Sequence, residues 1–398
     1  MQTAKKVVIV GGGASGLLCA IELLSGADAL CCKDVLICER NERIGKKLAV
    51  TGNGQGNFTN NDLSLKHFYG DKEFIKAFFD DNKIALTDYF YNLGIPLVCE
   101  ENGKYFPCSY QASSTLDVLR YILDYRNCEI KYSTQIVDIK NDGNVFLLKS
   151  IDGDTIIAEN VVIATGGCAS KHFGTDGNFY HILESFGHKI TKLHPSLVQI
   201  KTNTSAIKGF KGIKTQARLS LFCDNKFVDD AVGDLLFTDY GVSGNTVFTL
   251  SSKLNFDKKM YLLIDFLPNM SLLNIAKMID YRRTMHFFDE ENVLTGIINK
   301  KIGQSIMRRN LNTDSKKIAE IVKNFKIDIT GTLGFDYAQV TKGGVVTDDV
   351  NPISMQSKIV KNLFLTGEIL NVDGDCGGYN LTFAFLSGIK AAKYIKNH

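Results

Sequence analysis

Val7-Val8-Ile9-Val10-Gly11-Gly12-Gly13-Ala14-Ser15-Gly16-Leu17 is the stretch whose reading decides the fold. A run of apolar, β-branched residues suits a strand covered on both faces, as in a parallel sheet. The glycines that follow make a turn too tight for a Cβ, and residues 14–24 carry apolar side chains at helical spacing. Strand, glycine turn and helix in that order form the G-x-G-x-x-G pattern of a dinucleotide-binding βαβ unit, with Gly11, Gly13 and Gly16 in its three places. Gly11 permits the turn, Gly13 lets the backbone approach a pyrophosphate, and Gly16 lets the helix pack on the strand. The phosphate charge then rests on free N–H groups at the helix start, where the dipole supplies roughly +0.5 of a charge. By itself the glycine pattern is weak. Val35-Leu36-Ile37-Cys38-Glu39-Arg40 strengthens it, because it reads as a second strand ending in an acid about 20 residues further on, where a ribose contact belongs. A carboxylate at Glu39 accepts from ribose hydroxyls and repels a 2′-phosphate.

The chain has 398 residues, 44% of them hydrophobic and 22% charged, which suits a globular protein of two or three domains. Its net charge of +3 argues neither for nor against a polyanionic partner. No apolar run is long enough to cross a bilayer, so no membrane partner is expected, and the first strand starts too early to leave room for a signal peptide. The ten cysteines show neither CxxC spacing nor a disulfide framework, so they read as reduced thiols of a cytoplasmic protein. The missing CxxC also argues against a pyridine-nucleotide disulfide reductase. No metal-ligand spacing and no Ser/His/Asp order competes with the dinucleotide reading, and no metal is expected.

Residues 44–60 hold four glycines and three asparagines, a loop suited to covering a cofactor, with Lys46 and Lys47 at its start to neutralise a phosphate. Residues 71–93 read as one covering helix, 98–106 as a hairpin, and 115–124 as a helix capped by Ser113 or Ser114. Residues 130–139, 144–150 and 155–158 read as a small antiparallel sheet, and Val161-Val162-Ile163-Ala164-Thr165-Gly166-Gly167 as a buried strand breaking into a glycine turn. From Leu193 onward, strand-like pieces at 196–201, 217–227 and 258–265 alternate with turns. Residues 271–328 then read as mostly helical, with lysine and arginine on the polar faces. The nucleotide pattern resumes at Gly343-Gly344-Val345-Val346 and Leu363-Phe364-Leu365-Thr366-Gly367-Glu368. A cofactor domain in two parts, 1–192 and 338–398, with a domain inserted over 193–337, is the organisation this predicts.

Several segments taken together resemble one family. They are the fingerprint, Gly45-Lys46-Lys47-Leu48, Thr51-Gly52-Asn53-Gly54 with Asn57-Phe58-Thr59-Asn60, Ala164-Thr165-Gly166-Gly167, Leu235-Leu236-Phe237-Thr238 and Thr366-Gly367-Glu368. Asp373-Gly374-Asp375-Cys376-Gly377-Gly378-Tyr379-Asn380 completes the set. In order and content they resemble the BaiN/RdsA-type NAD(P)/FAD-dependent oxidoreductases, a family that includes a bile-acid-pathway reductase and a ribosomal-RNA dihydrouridine synthase and has also been labelled aminoacetone oxidase. The resemblance runs from the first strand to the last helix. It implies an α/β protein with a glutathione-reductase-like FAD-binding Rossmann domain, split in sequence, and an inserted β-barrel plus helical domain. By position, Ala14 and Ser15 would meet the pyrophosphate of FAD and Glu39 the adenosine ribose. Arg40 would lie near the adenine, to which Val137 would offer backbone. Lys47, Gly52 and Asn53 would face the flavin side, with Lys46, Thr165, Gly166 and Glu368 completing the cofactor-binding set. Gly367, Asp373, Asn380 and Leu381 would close over the ribityl chain and the pyrimidine end. A helix starting near Asn380 would aim its N-terminus at the flavin and stabilise negative charge on the reduced ring. The chain departs from the family pattern where relatives usually carry Arg-Cys, because Gln55-Gly56 stands there, and where they carry Ser-Gly-Pro, because it has Ser243-Gly244-Asn245. The loop over 168–177 also lacks the usual proline.

One fingerprint without a second leaves no separate Rossmann domain for NAD(P)H, so a nicotinamide would stack on the flavin transiently and leave. The function expected first is that of an FAD-dependent oxidoreductase, driven by NAD(P)H. It would pass a hydride from reduced flavin to an activated carbon–carbon double bond of a small apolar enone, steroid- or bile-acid-like. Tyr379 and His172 are the candidate proton donors, whereas His181, His188 and His194 read as core or surface residues. The alternative is reduction of a uridine base in ribosomal RNA, for which Lys300-Lys301, Arg308-Arg309 and Lys316-Lys317 would meet phosphates. A flavin amine oxidase and a non-catalytic flavin-binding module are further alternatives. Oligomeric state is not legible.

Overall fold

β1, Lys5–Val10, runs through the middle of a seven-stranded sheet in the computed structural model, which describes residues 4–81, 84–255 and 257–398. It pairs in parallel with β2, Val35–Cys38, on one side and with the strand Thr155–Ile163 on the other. Glu129–Lys131 continues the sheet beyond β2, and Leu363–Leu365 runs parallel to the end of Thr155–Ile163. Val7 to Val10 and all of β2 are buried, as doubly covered parallel strands require. Val10 stands level with Cys38 and Ile163, and Ile163 with Leu365, so four strands finish in one row. The residues that follow them, Gly11, Glu39, Ala164 and Thr366, emerge along the carboxyl rim of the sheet. Open parallel sheets take their ligands at that rim.

Thr155–Ile163 is one continuous strand, not the end of a small separate sheet. Its first half pairs antiparallel with Phe146–Ser150, which pairs in turn with Ile136–Asn141, and its second half takes Leu363–Leu365 on that same edge. Burial changes with the neighbour: residues 155–160 vary between exposed and buried, while Val161 to Ile163 are wholly covered. Residues 71–93 form two helices, Lys72–Asp80 and Leu86–Asn92, instead of one. The polar run Asp80-Asp81-Asn82-Lys83 offers no apolar face, and residues 82–83 of the expected helix lie outside the described residues. The next helix, Ala112–Tyr125, begins three residues earlier than expected with Gln111 at its N-cap, so Ser113 and Ser114 sit inside the first turn and cap nothing. The glycine-rich loop ends in Thr59–Asn60, which pairs with Lys104–Pro107 of a hairpin completed by Leu97–Cys99.

α1, Ala14–Leu23, lies against the C-terminal helix, Tyr379–Asn397. A Cβ at Gly388 would overlap the carbonyl of Ser15, so the two backbones approach at a point only glycine allows. This first unit comprises Met1–His194 and Gln339–His398; Pro195–Ala338 forms the second.

The second unit is a closed six-stranded barrel in the order Ile200–Thr202, Gly241–Ser243, Lys226–Phe237, Lys214–Cys223, Met260–Asp265 and Phe325–Thr332, antiparallel throughout. The strand expected over 217–227 runs through a reversal. Asp224 and Asn225 both adopt left-handed backbone, at φ 47° and 63°, and turn one strand into the next. Three helices, Leu272–Arg283, Lys300–Arg309 and Ser315–Lys323, fill most of the stretch expected to be helical. Its last residues instead begin the closing strand, whose Phe325 and Ile327 alternate into the core. Phe210, Phe237, Phe266 and Phe325 pack there with ring centroids 5.2–6.4 Å apart. Among the described residues no helix is long and apolar enough to cross a membrane.

Candidate functional site

The three fingerprint glycines serve different ends. Gly11 has φ 106°, and a Cβ there would overlap the carbonyl of Ala164; a Cβ at Gly16 would overlap the carbonyl of Gly11. Both glycines are demanded by the protein's own packing. Gly13 is not: its φ is −86°, and a Cβ there would meet nothing nearer than Ala164 O at 4.0 Å. No side chain caps α1, and the N–H groups of Gly13, Ala14 and Ser15 meet no acceptor among the described residues. Thr165 Oγ1 is also buried without a hydrogen-bond partner. A void, three unmatched donors and an orphaned hydroxyl at one rim fit the pyrophosphate of a dinucleotide.

Glu39 is buried at the end of β2. Its Oε2 accepts the Gly12 N–H at 2.8 Å, while Oε1 accepts the Asn41 backbone N–H at 2.8 Å and side-chain amide at 2.7 Å. A carboxylate offers about four acceptor positions, so capacity remains for a ribose hydroxyl. Arg40 pairs with Asp176 at 2.7 Å and donates to the carbonyl of Gly174 at 3.1 Å. Asn41 Nδ2 donates to the carbonyl of Phe173 at 3.0 Å. These bonds tie the turn Lys171–Phe173 to the Glu39 side of the rim. His172 stands exposed on that turn, its ring against Phe173. Val137 falls at a register shift between Ile136 and Asp138, where it faces no partner across the strand pair.

Lys46 and Lys47 are both engaged. Lys46 Nζ lies 3.4 Å from Asn41 Oδ1, and Lys47 Nζ lies 2.8 Å from Glu368 Oε2. Glu368 Oε1 accepts the Thr341 N–H at 2.9 Å. Lys47 and Glu368, both expected at the cofactor, thus neutralise each other between the glycine loop and the tail. Gly52 and Asn53 are exposed in left-handed backbone, with φ 58° and 56°. Gln55 is exposed, while Gly56 is buried with φ 80°, and a Cβ there would press on Phe58 at 3.0 Å and Ala112 at 3.1 Å. The backbone and packing at position 56 are therefore shaped for glycine.

The tail meets the fingerprint directly, since a Cβ at Gly367 would sit 2.9 Å from Ser15 Oγ. Gly166 and Gly367 hold left-handed turns at φ 72° and 73°. Asp373 is buried on the short strand Val372–Gly374, which pairs with Phe68–Gly70. The Asn380 side chain both accepts from and donates to the backbone of Gly374, at 2.9 Å each, and Leu381 follows it half-buried. Asn60 Nδ2 donates to Gly377 O at 3.0 Å, and Thr382 Oγ1 to Thr59 Oγ1 at 2.8 Å, so the glycine loop is fastened to the tail. Tyr379, the first residue of the C-terminal helix, is buried, and its hydroxyl makes no hydrogen bond among the described residues. Burial, reinforced by Asp62 and Asp375, pushes its phenol up to about 12. Its ring lies on that of His67 at 4.6 Å. Sequence reasoning missed His67, Asp62 and Tyr69. No motif marks them, and they reach Tyr379 only because Phe68–Gly70 pairs with Val372–Gly374.

On the helical part of the second unit, a depression of about 410 Å³ is lined by Lys208, Lys301, Gln304, Ser305, Arg308 and Arg309, without a carboxylate. Arg308 pairs with Glu291, and Arg309 donates to the carbonyls of Ala206 and Ser205. Lys208 and Lys301 form no ion pair among the described residues. No group of three His, Cys, Asp or Glu side chains among the described residues is placed to hold a metal ion.

A family model described as HI0933-like protein Rossmann domain matches residues 5–394. A 3-dehydro-bile acid delta(4,6)-reductase of Clostridium scindens is 33% identical to this chain over 407 residues, covering 98% of each. A ribosomal RNA dihydrouridine synthase of Haemophilus influenzae is 26% identical over 418 residues, again covering 98% of each. The 3-ketosteroid-delta4-(5alpha)-dehydrogenase of Rhodococcus jostii RHA1, solved with 4-androstene-3,17-dione, aligns over 100% of this chain and 98% of its own. The TM-score is 0.54 at 13% identity, a likeness of fold.

Proposed function

Since this chain belongs to the HI0933-like Rossmann family and is an FAD-dependent oxidoreductase, we propose that it reduces an activated carbon–carbon double bond of a small apolar enone, with NAD(P)H as transient reductant. The carrying observation is the uncapped start of α1 beside the void at Gly13, with Glu39 and Thr165 on the same rim. The 33% identity to a protein named as a bile-acid reductase supports a steroid-like substrate. Ten unpaired thiols suit a reducing compartment, so a cytoplasmic place is part of this reading.

When bound, the flavin supplies the hydride. The chain supplies position and a proton. Gly13, Ala14 and Ser15 hold the pyrophosphate through their N–H groups, Glu39 takes the ribose, and Arg40 and Val137 attend the adenine. Lys46, Gly52, Asn53 and Gly166 line the approach, and the Lys47–Glu368 pair joins loop to tail. Gly367, Asp373, Asn380 and Leu381 close the other end, where the first N–H groups of the C-terminal helix stabilise negative charge. Tyr379 donates the proton. A phenol carries its proton at neutral pH, and this hydroxyl makes no hydrogen bond among the described residues. His172 is the weaker candidate because its turn is bound to Arg40 and Asn41, on the side assigned to adenosine.

The test is an anaerobic absorbance titration of the purified flavoprotein with NADH and then NADPH. After bleaching, a 3-keto-4-ene steroid, uridine-containing RNA or oxygen is added, and in a separate run without NAD(P)H oxygen consumption is followed with small amines. We expect the nicotinamide to bleach the flavin band and the enone to restore it. Recovery with RNA alone, or with oxygen alone, would overturn the enone reading. The basic depression on the second unit favours one second reading, the uridine base of a structured RNA. Its mark would be RNA affinity that falls steeply with salt.

A further inference from the structure

His67 ends the short turn Leu65–His67, and a carboxylate faces each of its ring nitrogens. Nδ1 lies 2.9 Å from Asp375 Oδ2, and Nε2 lies 3.1 Å from Asp62 Oδ2. One such contact would let the imidazole pivot about it; two on opposite sides of the ring fix its plane. Both anchors are themselves held. Asp375 Oδ1 accepts the Tyr69 hydroxyl at 2.6 Å, and its backbone N–H donates to the His67 carbonyl at 3.0 Å. Asp62 also pairs with Lys66 at 2.8 Å.

The clamped ring lies on Tyr379, with centroids 4.6 Å apart and planes 17° from parallel. Phe68 meets the same phenol edge-on at 5.6 Å and 85°. A Cβ at Gly374 would come within 2.7 Å of Tyr379 Cβ and one at Gly377 within 2.8 Å of its ring, so glycine at both positions admits the side chain. The phenol is confined by these neighbours while its hydroxyl stays unbonded among the described residues.

We propose that His67, clamped between Asp62 and Asp375, is a positioning residue that holds the Tyr379 phenol in line for proton delivery. This rests on Tyr379 being the acid of the proposed reduction. In that step the Tyr379 O–H bond breaks and a C–H bond forms on the carbon adjoining the one that receives the hydride. The phenolate then regains its proton from water, and His67 neither gives nor takes one. Misplacing a reacting group by about 1 Å can cost about 10²-fold in rate, so a freely turning phenol would be a poor donor.

The test compares wild type with His67→Ala in two measurements. In the first, flavin-loaded enzyme is reduced anaerobically and mixed with a 3-keto-4-ene steroid. His67→Ala is expected to slow flavin reoxidation about 10- to 100-fold with KM and flavin content unchanged. Added imidazole should recover most of that loss by refilling the place between the two carboxylates. In the second, flavin-free protein carries ring-labelled tyrosine. The Tyr379 signals are expected to move in His67→Ala and return with imidazole. His67→Gln, which keeps polar contacts but no stacked ring, guards against a folding defect and should be equally slow. Reoxidation within twofold of wild type in either variant overturns the inference, as does slowing that leaves the Tyr379 signals unmoved. A wild type that no enone reoxidises overturns the underlying reading instead, and the flavin-free spectra tell the two failures apart.

Discussion

A Cβ at Gly13 meets no atom within contact distance, whereas one at Gly16 meets the backbone of its own turn. Gly13→Val should therefore leave the flavin-free protein folded and abolish FAD binding, because the branched side chain fills the space left for pyrophosphate. Gly16→Ala should do the reverse first, costing about 1–3 kcal/mol of stability through overpacking. Thermal melting and flavin titration, run on each variant, separate the two effects; a fully flavinated Gly13→Val would remove that glycine from the site. Glu39→Ala is expected to weaken FAD binding by about 1.5–3 kcal/mol through lost charged hydrogen bonds. It should also loosen the flavin-free turn, since Gly12 and Asn41 lose their acceptor. Unchanged affinity in a fluorescence titration would exclude Glu39 as the ribose ligand. Tyr379→Phe should slow reoxidation by the enone about 10²- to 10⁴-fold while leaving reduction by nicotinamide untouched.

At the scale of elements, local patterning and long-range pairing divide what could be read in advance. β1, the glycine turn and α1 were legible because their signals lie within one short stretch: β-branched run, glycines, helical spacing. Thr155–Ile163 was not, because its change of neighbour midway is set by strands near 146 and 363. Nor was the reversal at Asp224 and Asn225, where apolar residues on both sides masked a two-residue turn. The docking of the C-terminal helix on α1 hides a further feature. Lys396 Nζ lies 3.0 Å from Glu22 Oε1, with side chains only 4% and 10% exposed. Burial of that order makes the loss of one partner costly, because the other stays charged and dry. Lys396→Met should lower stability by about 3–5 kcal/mol in urea unfolding of the flavin-free protein. A double replacement of Glu22 and Lys396 by leucine should recover only part of that loss, because the Tyr89 hydroxyl then loses its acceptor and Asp28 its partner. A midpoint that Lys396→Met does not move would show the pair to be open to water.

For the molecule as a whole, the candidate site could be drawn in outline because four of its segments, at Gly11, Glu39, Ala164 and Thr366, follow strands that end in one row, however far apart they lie in the chain. The Lys47–Glu368 pair and the His67 clamp could not, since each depends on side-chain distances between segments some 300 residues apart. Buried titratable groups spread through the first unit also give it a characteristic pH profile. Burial raises the phenols of Tyr89, Tyr180 and Tyr379, and Glu22 adds to the effect at Tyr89 by accepting its hydroxyl at 2.9 Å. A phenol with a raised pKa keeps its proton in the folded state after the unfolded chain has lost it. Stability is therefore full below about pH 10 and falls above it, by about 1.4 kcal/mol per pH unit for each such group. His188 has the opposite sign. Burial lowers its pKa despite Asp349 nearby, and its Nε2 lies 3.1 Å from Ser357 Oγ. The unfolded chain takes up the proton first, so stability falls as pH drops below about 6.5. Urea midpoints measured from pH 5 to 11 should trace a plateau between those limits. Tyr379→Phe should shallow the alkaline limb alone and His188→Gln the acid limb alone; a profile unchanged by both would place the titrating groups elsewhere.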